Sequence, residues 1–228
     1  MISMLIPVRR DSVFLRGLIH SIVATAYDID NVEILVSFSK NEEHNLQLLK
    51  DFPFIKPCYD DKSKGRWGLH EYMNSIAEAS TGDGLWHLCD DFRMVTKHFD
   101  LVINNHLERL KNEVYCFLPC PQPVHKIDGF VAPIITRKWY DTLGHWALNY
   151  AVDSWVGEIL GYLPIERKIH IAELDLEDVT YSLKPMAVRE DKDEIPDISQ
   201  KHRIEHRWED VETRSLIKAD ANKLLLTV

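Results

Sequence analysis

The sequence predicts an α/β fold built on a mostly parallel sheet, and three observations predict it. Short apolar runs recur through the first 90 residues at Met4–Val8, 32–38, 54–58 and 85–88. Between them lie stretches whose apolar residues repeat every three or four positions, the period of a helix with one buried face. Proline and glycine punctuate the exchange, with Pro7 closing the first run and Gly82-Asp83-Gly84 preceding the fourth. Strand–helix–strand repetition of this kind implies parallel strands joined by right-handed crossovers.

Each element has its own warrant. Met4 to Val8 is apolar and ends at a proline, so it reads as a buried strand entering a loop. Asp11 or Ser12 can cap a helix whose inner face is Phe14, Leu15, Leu18, Ile19, Ile22 and Val23. Val32 to Phe38 is the second strand, a short helix spans 42–50, and a third strand falls near Phe54–Cys58. Leu69, Tyr72, Met73, Ile76 and Ala77 form the next helical stripe, before the strand Leu85–Leu88. Later, strands are expected over Val114–Leu118 and Gly129–Thr136, and helices over Lys138–Leu143 and Asp153–Tyr162. From Arg189 the chain turns charge-rich. Asp191–Asp197 reads as a solvated linker, and 202–226 as a helix with Ile204, Trp208, Val211, Ser215 and Ala219 along one side. The expected division is therefore residues 1–188 as the α/β domain and 189–228 as linker and tail helix.

Composition closes off several classes. At 228 residues with 45% hydrophobic and 28% charged residues, the chain can bury a sizeable core. No window approaches the roughly 20 apolar residues of a membrane span. The start at Met1 carries no basic segment or small-residue cleavage site, so no signal peptide is expected and the protein reads as cytoplasmic. A net charge of −9 disfavours non-specific nucleic-acid binding, which needs a basic face. The four cysteines have unrelated spacings and read as reduced thiols. Cys116-x-x-x-Cys120 is half of a zinc pattern, but no second ligand pair follows.

Ligands of open α/β sheets bind beyond the carboxyl ends of the strands. Four stretches should meet there: Pro7-Val8-Arg9-Arg10, Ser37-Phe38-Ser39, Lys62–Trp67 and Cys89-Asp90-Asp91. The adjacent carboxylates of Asp90 and Asp91 repel one another unless something compensates. A divalent cation does so, because Mg²⁺ or Mn²⁺ takes one or two protein carboxylates plus substrate phosphates. A solvated turn with a helix cap explains the pair equally well.

The order Ser3-Met4-Leu5-Ile6-Pro7-Val8, then Glu33-Ile34-Leu35-Val36, then Met73-Asn74-x-x-Ala77, then Gly82-Asp83 and Leu88-Cys89-Asp90-Asp91 resembles the GT-A nucleotide-sugar glycosyltransferases, in particular the family 2 type. The likeness covers residues 2–95 well and 125–165 loosely. It implies a GT-A-type, Rossmann-like three-layer sandwich with a mostly parallel central sheet, here followed by a helical tail. The implied reaction is metal-dependent, inverting transfer of a sugar from a nucleoside-diphosphate sugar to an acceptor hydroxyl, with Mn²⁺ or Mg²⁺ on the diphosphate.

The resemblance also assigns residues. Pro7, Val8 and Arg9 would open the nucleotide pocket. Ser37 and Ser39 stand where the family usually carries an acidic residue against the base or ribose; their hydroxyls can hydrogen-bond, and Phe38 can stack. Cys89 takes the place of the first aspartate of the metal motif, leaving Asp91 as the metal ligand and Asp90 nearer the ribose. Arg9, Arg10, Lys64 and Arg66 lie in loops expected to face the pocket, where they would meet the charge of the departing diphosphate. Arg66 resembles the family's arginine before the asparagine-bearing helix. Asp153 would be the general base, although an aspartate at a helix start is also a favoured cap. Gly144-His145-Trp146 would form an acceptor loop, unless Trp146 is buried. For a late metal ligand His170 is the first choice, with Asp175 and Asp178 as alternatives.

Two other functions share this architecture. A sugar-nucleotidyltransferase uses a glycine-rich phosphate loop after the first strand, and Pro7-Val8-Arg9-Arg10-Asp11 has no glycine. A non-catalytic nucleotide-sugar-binding module is favoured by Cys89 and by the missing acidic residue after Val36. The acceptor is open among glycan, lipid-linked sugar, protein and modified base, with no integral membrane contact expected. The tail helix reads as folded back on the domain, as a dimer contact joining two copies, or as a lid.

Overall fold

The computed structural model describes residues 1–8, 13–39, 43–60, 68–119, 132–179 and 211–227, without the side chains of residues 13, 39, 43–45, 153 and 178. In chain order the elements are β1 (Ile2–Pro7), α1 (Val13–Thr25), β2 (Val32–Ser39), α2 (Glu43–Asp51), β3 (Lys56–Asp60) and α3 (Leu69–Ala79). There follow β4 (Gly84–His87), β5 (Phe92–Met94), α4 (Phe99–Leu110), β6 (Cys116–Pro119), β7 (Ile134–Thr136) and α5 (Arg137–Leu143). The chain ends with α6 (Val152–Tyr162), β8 (Lys168–Ile171), β9 (Leu176–Asp178) and α7 (Val211–Leu225).

The main sheet has the order β3-β2-β1-β4-β7-β6-β8, and β5 pairs with β9 in a second, two-stranded sheet. β1 lies parallel to β2, with Ile2 opposite Val32 and Pro7 opposite Ser37, and parallel to β4, with Leu5 opposite His87. β2 and β3 are also parallel. β7 alone is reversed, antiparallel to both β4 and β6, and β8 returns parallel to β6.

Alternation along β1 assigns the two layers. Ile2, Met4 and Ile6 face one cluster, with Leu15, Leu18, Ile19 and Ile22 of α1 and Phe99, Ile103 and Leu107 of α4. Leu5 and Leu35 face the other, with Met73, Ile76 and Ala77 of α3 and the inner sides of α5, α6 and α7. Helices on both faces of a mostly parallel sheet make the expected three layers. Val23 alone leaves the predicted α1 stripe, at 41% exposure.

At the amino edge, Glu33 is buried and takes four hydrogen bonds. Lys56 Nζ donates to its Oε1 at 2.5 Å, Thr81 Oγ1 to the same oxygen at 2.9 Å, and the Thr81 amide to Oε2 at 2.8 Å. The Ser3 hydroxyl donates to Oε2 as well, and itself accepts from the Gly82 amide at 2.8 Å. A Cβ at Gly82 would stand 2.5 Å from Ser3 Oγ and 2.7 Å from the Ser3 amide nitrogen, so only glycine fits this crossing. Burial by itself would raise the Glu33 carboxyl. The Lys56 ammonium, the Ser3 hydroxyl and the two Thr81 donors outweigh it and lower the pKa from 4.5 to about 2.

Two expectations are corrected here. β3 begins at Lys56 rather than Phe54; Phe54 sits in the preceding turn, edge-on to Phe52. On α7 the buried residues are Thr213, Ile217, Asp220, Ala221 and Leu224, not the line through Val211, Ser215 and Ala219, and Val211 is 85% exposed. Apolar residues at helical spacing set the face that turns inward, and Asp220 is carried among them. Ile217, Ala221 and Leu224 pack into the core of the α5–α6 layer. Ile204, Trp208 and the linker 191–197 lie outside the described residues. Among the described residues no helix is long and apolar enough to cross a membrane.

Candidate functional site

The carboxyl ends of β1, β2, β3 and β4 lie side by side and bring the predicted stretches to one edge. Val8 is buried and Pro7 half-buried beside Ser37. Ser37 is fully buried, and its hydroxyl donates to Asp60 Oδ2 at 2.6 Å. The register sets Ser39 opposite Asp60, so a carboxylate from β3 stands beside the two serines. Asp60 lies beyond the strand that the apolar run 54–58 predicts, because β3 falls two residues further along the chain. Phe38 is 1% exposed within the core, which removes it as a stacking surface. Arg9, Arg10, Lys62, Lys64 and Arg66 lie outside the described residues.

β4 ends in a turn that carries the acidic pair. The Leu88 amide bonds to Leu5 O at 3.0 Å, keeping the chain in the sheet, and the Phe92 amide bonds back to Cys89 O at 3.2 Å. Asp90 and Asp91, at the tip, are half-buried. The Val179 amide donates to Asp91 O at 3.0 Å, and Phe92 stands opposite Asp178 in the β5–β9 pair. The structure thus sets Asp178 next to Asp91 along the backbone. Asp175 lies at the other end of that pair, its amide bonded to Thr96 Oγ1 at 2.7 Å. His170 is exposed on β8, on the same sheet edge but three strands from β4, and is not brought to the acidic turn.

Among the described residues no three His, Cys, Asp or Glu side chains converge as an ion-binding group. Carboxylate oxygens are nonetheless the hard donors that Mg²⁺ and Mn²⁺ prefer, and such an ion needs only one or two of them from the protein. The donor set at 90–91 fits that requirement. Cys116 does not belong to it, because burial pushes its thiol far up and keeps it protonated.

Asp153 is the second residue of α6, after Ala151 at the helix start. A chain of contacts ties this turn to the end of β4. The ring of His87 lies 6.1 Å from that of Trp146, and Trp146 Nε1 donates to the Val152 carbonyl at 3.0 Å. Trp146 is therefore a buried brace, 1% exposed, rather than an open face for a sugar ring. The segment leading to Asp153 leaves α5 at Gly144, whose φ of 78° favours glycine. It is clamped from α3, where Asn74 Oδ1 accepts from the Trp146 and Ala147 amides at 2.8 and 3.2 Å. Asn74 Nδ2 donates to Ala147 O at 2.8 Å. Asn74 entered the resemblance as a motif residue without a task; its spacing in sequence, 73 residues from Ala147, hides the clamp.

No family model matches the sequence, and no curated protein matches it. Solved structures do match in fold. S. aureus TarS 1-349 gives a TM-score of 0.58 at 12% identity, over 77% of this chain and 59% of that one, and it has also been solved with UDP-GlcNAc. The mannosyltransferase PcManGT from Pyrobaculum calidifontis, in complex with GDP-Man and Mn²⁺, gives 0.57 at 14% identity, over 78% and 56%. Glucosyl-3-phosphoglycerate synthase from Mycobacterium tuberculosis, in complex with Mg²⁺ and uridine-diphosphate, gives 0.52 at 12% identity, over 78% and 70%. The chain spans about three fifths of the TarS fragment it matches. The fold of this chain is the GT-A fold of nucleotide-sugar glycosyltransferases.

Proposed function

We propose that this protein transfers a glycosyl group from a nucleoside-diphosphate sugar to an acceptor hydroxyl, with inversion at the anomeric carbon. One observation carries the reading: the α6 turn bearing Asp153 is tied through Trp146 to the end of β4, where the Asp90–Asp91 turn begins. The backbone of the α6 turn is thereby joined to the donor edge, and in this reading Asp153 serves the same site. The chemistry in the titles of the TarS, PcManGT and glucosyl-3-phosphoglycerate synthase structures, UDP- or GDP-linked sugars with Mn²⁺ or Mg²⁺, supports the same donor class.

In this reading Ser37, Ser39 and Asp60 accept and donate hydrogen bonds at the base and ribose, with Pro7 and Val8 shaping the wall. Asp90 serves the ribose. Asp91, with Asp178 beside it, would hold the divalent ion, which neutralises charge on the diphosphate when bound. Arg9 and Arg66 would meet the same charge. Asp153 removes the acceptor hydroxyl's proton as that oxygen forms its bond to the anomeric carbon. The bond from that carbon to the diphosphate oxygen breaks, its electron pair leaves with the diphosphate, and the proton stays on Asp153.

Isothermal titration with UDP-, GDP- and dTDP-sugars, each with Mn²⁺, tests the donor class. Binding of one of them is expected. No binding by any, with or without the ion, overturns the reading. Asp60→Asn should weaken the bound donor roughly 10-fold, the loss of one hydrogen bond to a charged acceptor. An unchanged titration would remove Asp60 from the nucleotide site.

A further inference from the structure

Asp220 of α7 is buried among apolar neighbours, its side chain 3% exposed. Its Oδ2 receives two groups at once, His145 Nε2 at 2.8 Å and Trp155 Nε1 at 3.1 Å, while Lys223 Nζ lies 3.8 Å from Oδ1. His145 belongs to the segment that leaves α5 at Gly144; Trp155 lies on α6, two residues after Asp153. A carboxylate withdrawn from water is costly unless its hydrogen bonds are met, and an apolar side chain would pack here at less cost. What the carboxylate supplies that an apolar group does not is direction, fixing one imidazole and one indole about a single oxygen.

The two anchored groups bracket the proposed base. Asn74 holds Trp146 and Ala147 from the α3 side, and Asp220 holds His145 and Trp155 from the α7 side. Residues 145–155 are therefore held from both α3 and α7, with Asp153 between the held residues in sequence. Ile217, Ala221 and Leu224 pack α7 onto the α5–α6 layer on the side that carries Asp220. Resting on the glycosyl-transfer reading, we infer that Asp220 is a positioning residue, through which the C-terminal helix sets the α6 turn that carries Asp153.

The experiment uses the full chain, the donor that binds in titration, and water as the acceptor, with nucleoside diphosphate release as the readout. Asp220→Ala should lower kcat roughly 10-fold, because small misplacement of a reacting group is costly, while leaving the donor KM and Kd within about twofold. Asp220→Asn retains an acceptor oxygen in the same place and should recover most of that kcat. Ile217→Ala serves as the control for α7 packing: it should lower the melting temperature and leave kcat unchanged while the protein is folded. If Asp220→Ala folds and turns over like wild type, or if Ile217→Ala lowers kcat as much, the positioning role is overturned. Should Asp220→Ala fail to fold, Asp220→Asn decides by its indole Nε1–H resonance for Trp155: a wild-type shift and rate support the inference, and a wild-type rate with a displaced resonance overturns it. A wild-type protein that binds no donor defeats the underlying function instead.

Discussion

Replacing Asp153 by asparagine should lower the rate of nucleoside diphosphate release by on the order of 10²- to 10⁴-fold, the usual contribution of a general base. Donor affinity should stay within about twofold, because Asp153 acts on the acceptor side. Asparagine has nearly the same volume and is well accepted at the start of a helix, so α6 should keep its first turn. The Trp146 indole bonds to the Val152 carbonyl, which the substitution does not alter. Circular dichroism and the donor titration establish that the variant is folded, and steady-state kinetics then reads the loss. Turnover within threefold of wild type would show that another group takes the proton.

Glu33→Ala should cost about 3 kcal/mol of stability at neutral pH, measured by urea denaturation. The figure follows from a carboxyl held at about 2 in the folded chain against 4.5 when unfolded. The sign is set by the direction of that shift. A depressed carboxyl contributes fully above 4.5, and its contribution is lost as the pH falls from there toward 2. The gap between wild type and Glu33→Ala should therefore narrow through that window, and a gap independent of pH would refute the assignment. Lys56→Ala should cost much less, because the Lys56 side chain is 56% exposed and water screens its pairing. Both changes lie at the amino edge, away from the proposed site, so donor binding by the folded protein should be untouched.

The parts of the fold with strong periodicity are legible in the sequence alone. Met73, Ile76 and Ala77 announced α3, Leu15, Leu18 and Ile19 announced α1, and the apolar runs of β1, β2 and β4 set the carboxyl edge where Asp90 and Asp91 emerge. Three-residue strands carry no such signal. β5 and β9 find each other across more than 80 residues, and their pairing moves attention from His170 to Asp178. The α7 face departs from the predicted one for a related reason: Asp220 counts as polar in any periodicity, and His145 and Trp155, with Lys223 nearby, make its burial tolerable. Asp60 was hidden by Phe54, an aromatic that looks like strand yet occupies a turn. Trp146 was undecidable from spacing alone, since a brace and a sugar platform use the same side chain.

The reversal of β7 has a consequence for how such a protein can diverge. Because β7 runs against β4, α5 begins at the amino edge, where the Arg137 amide bonds to Asp83 O, and it climbs back to deliver residues 144–151 from a helix end. In the proposed reading the nucleotide wall would be made of strand termini held in register, and the acceptor's wall of helix termini and the connection between them. On that reading, insertions or exchanges in the connection would retool the acceptor's berth while the donor's berth keeps its geometry.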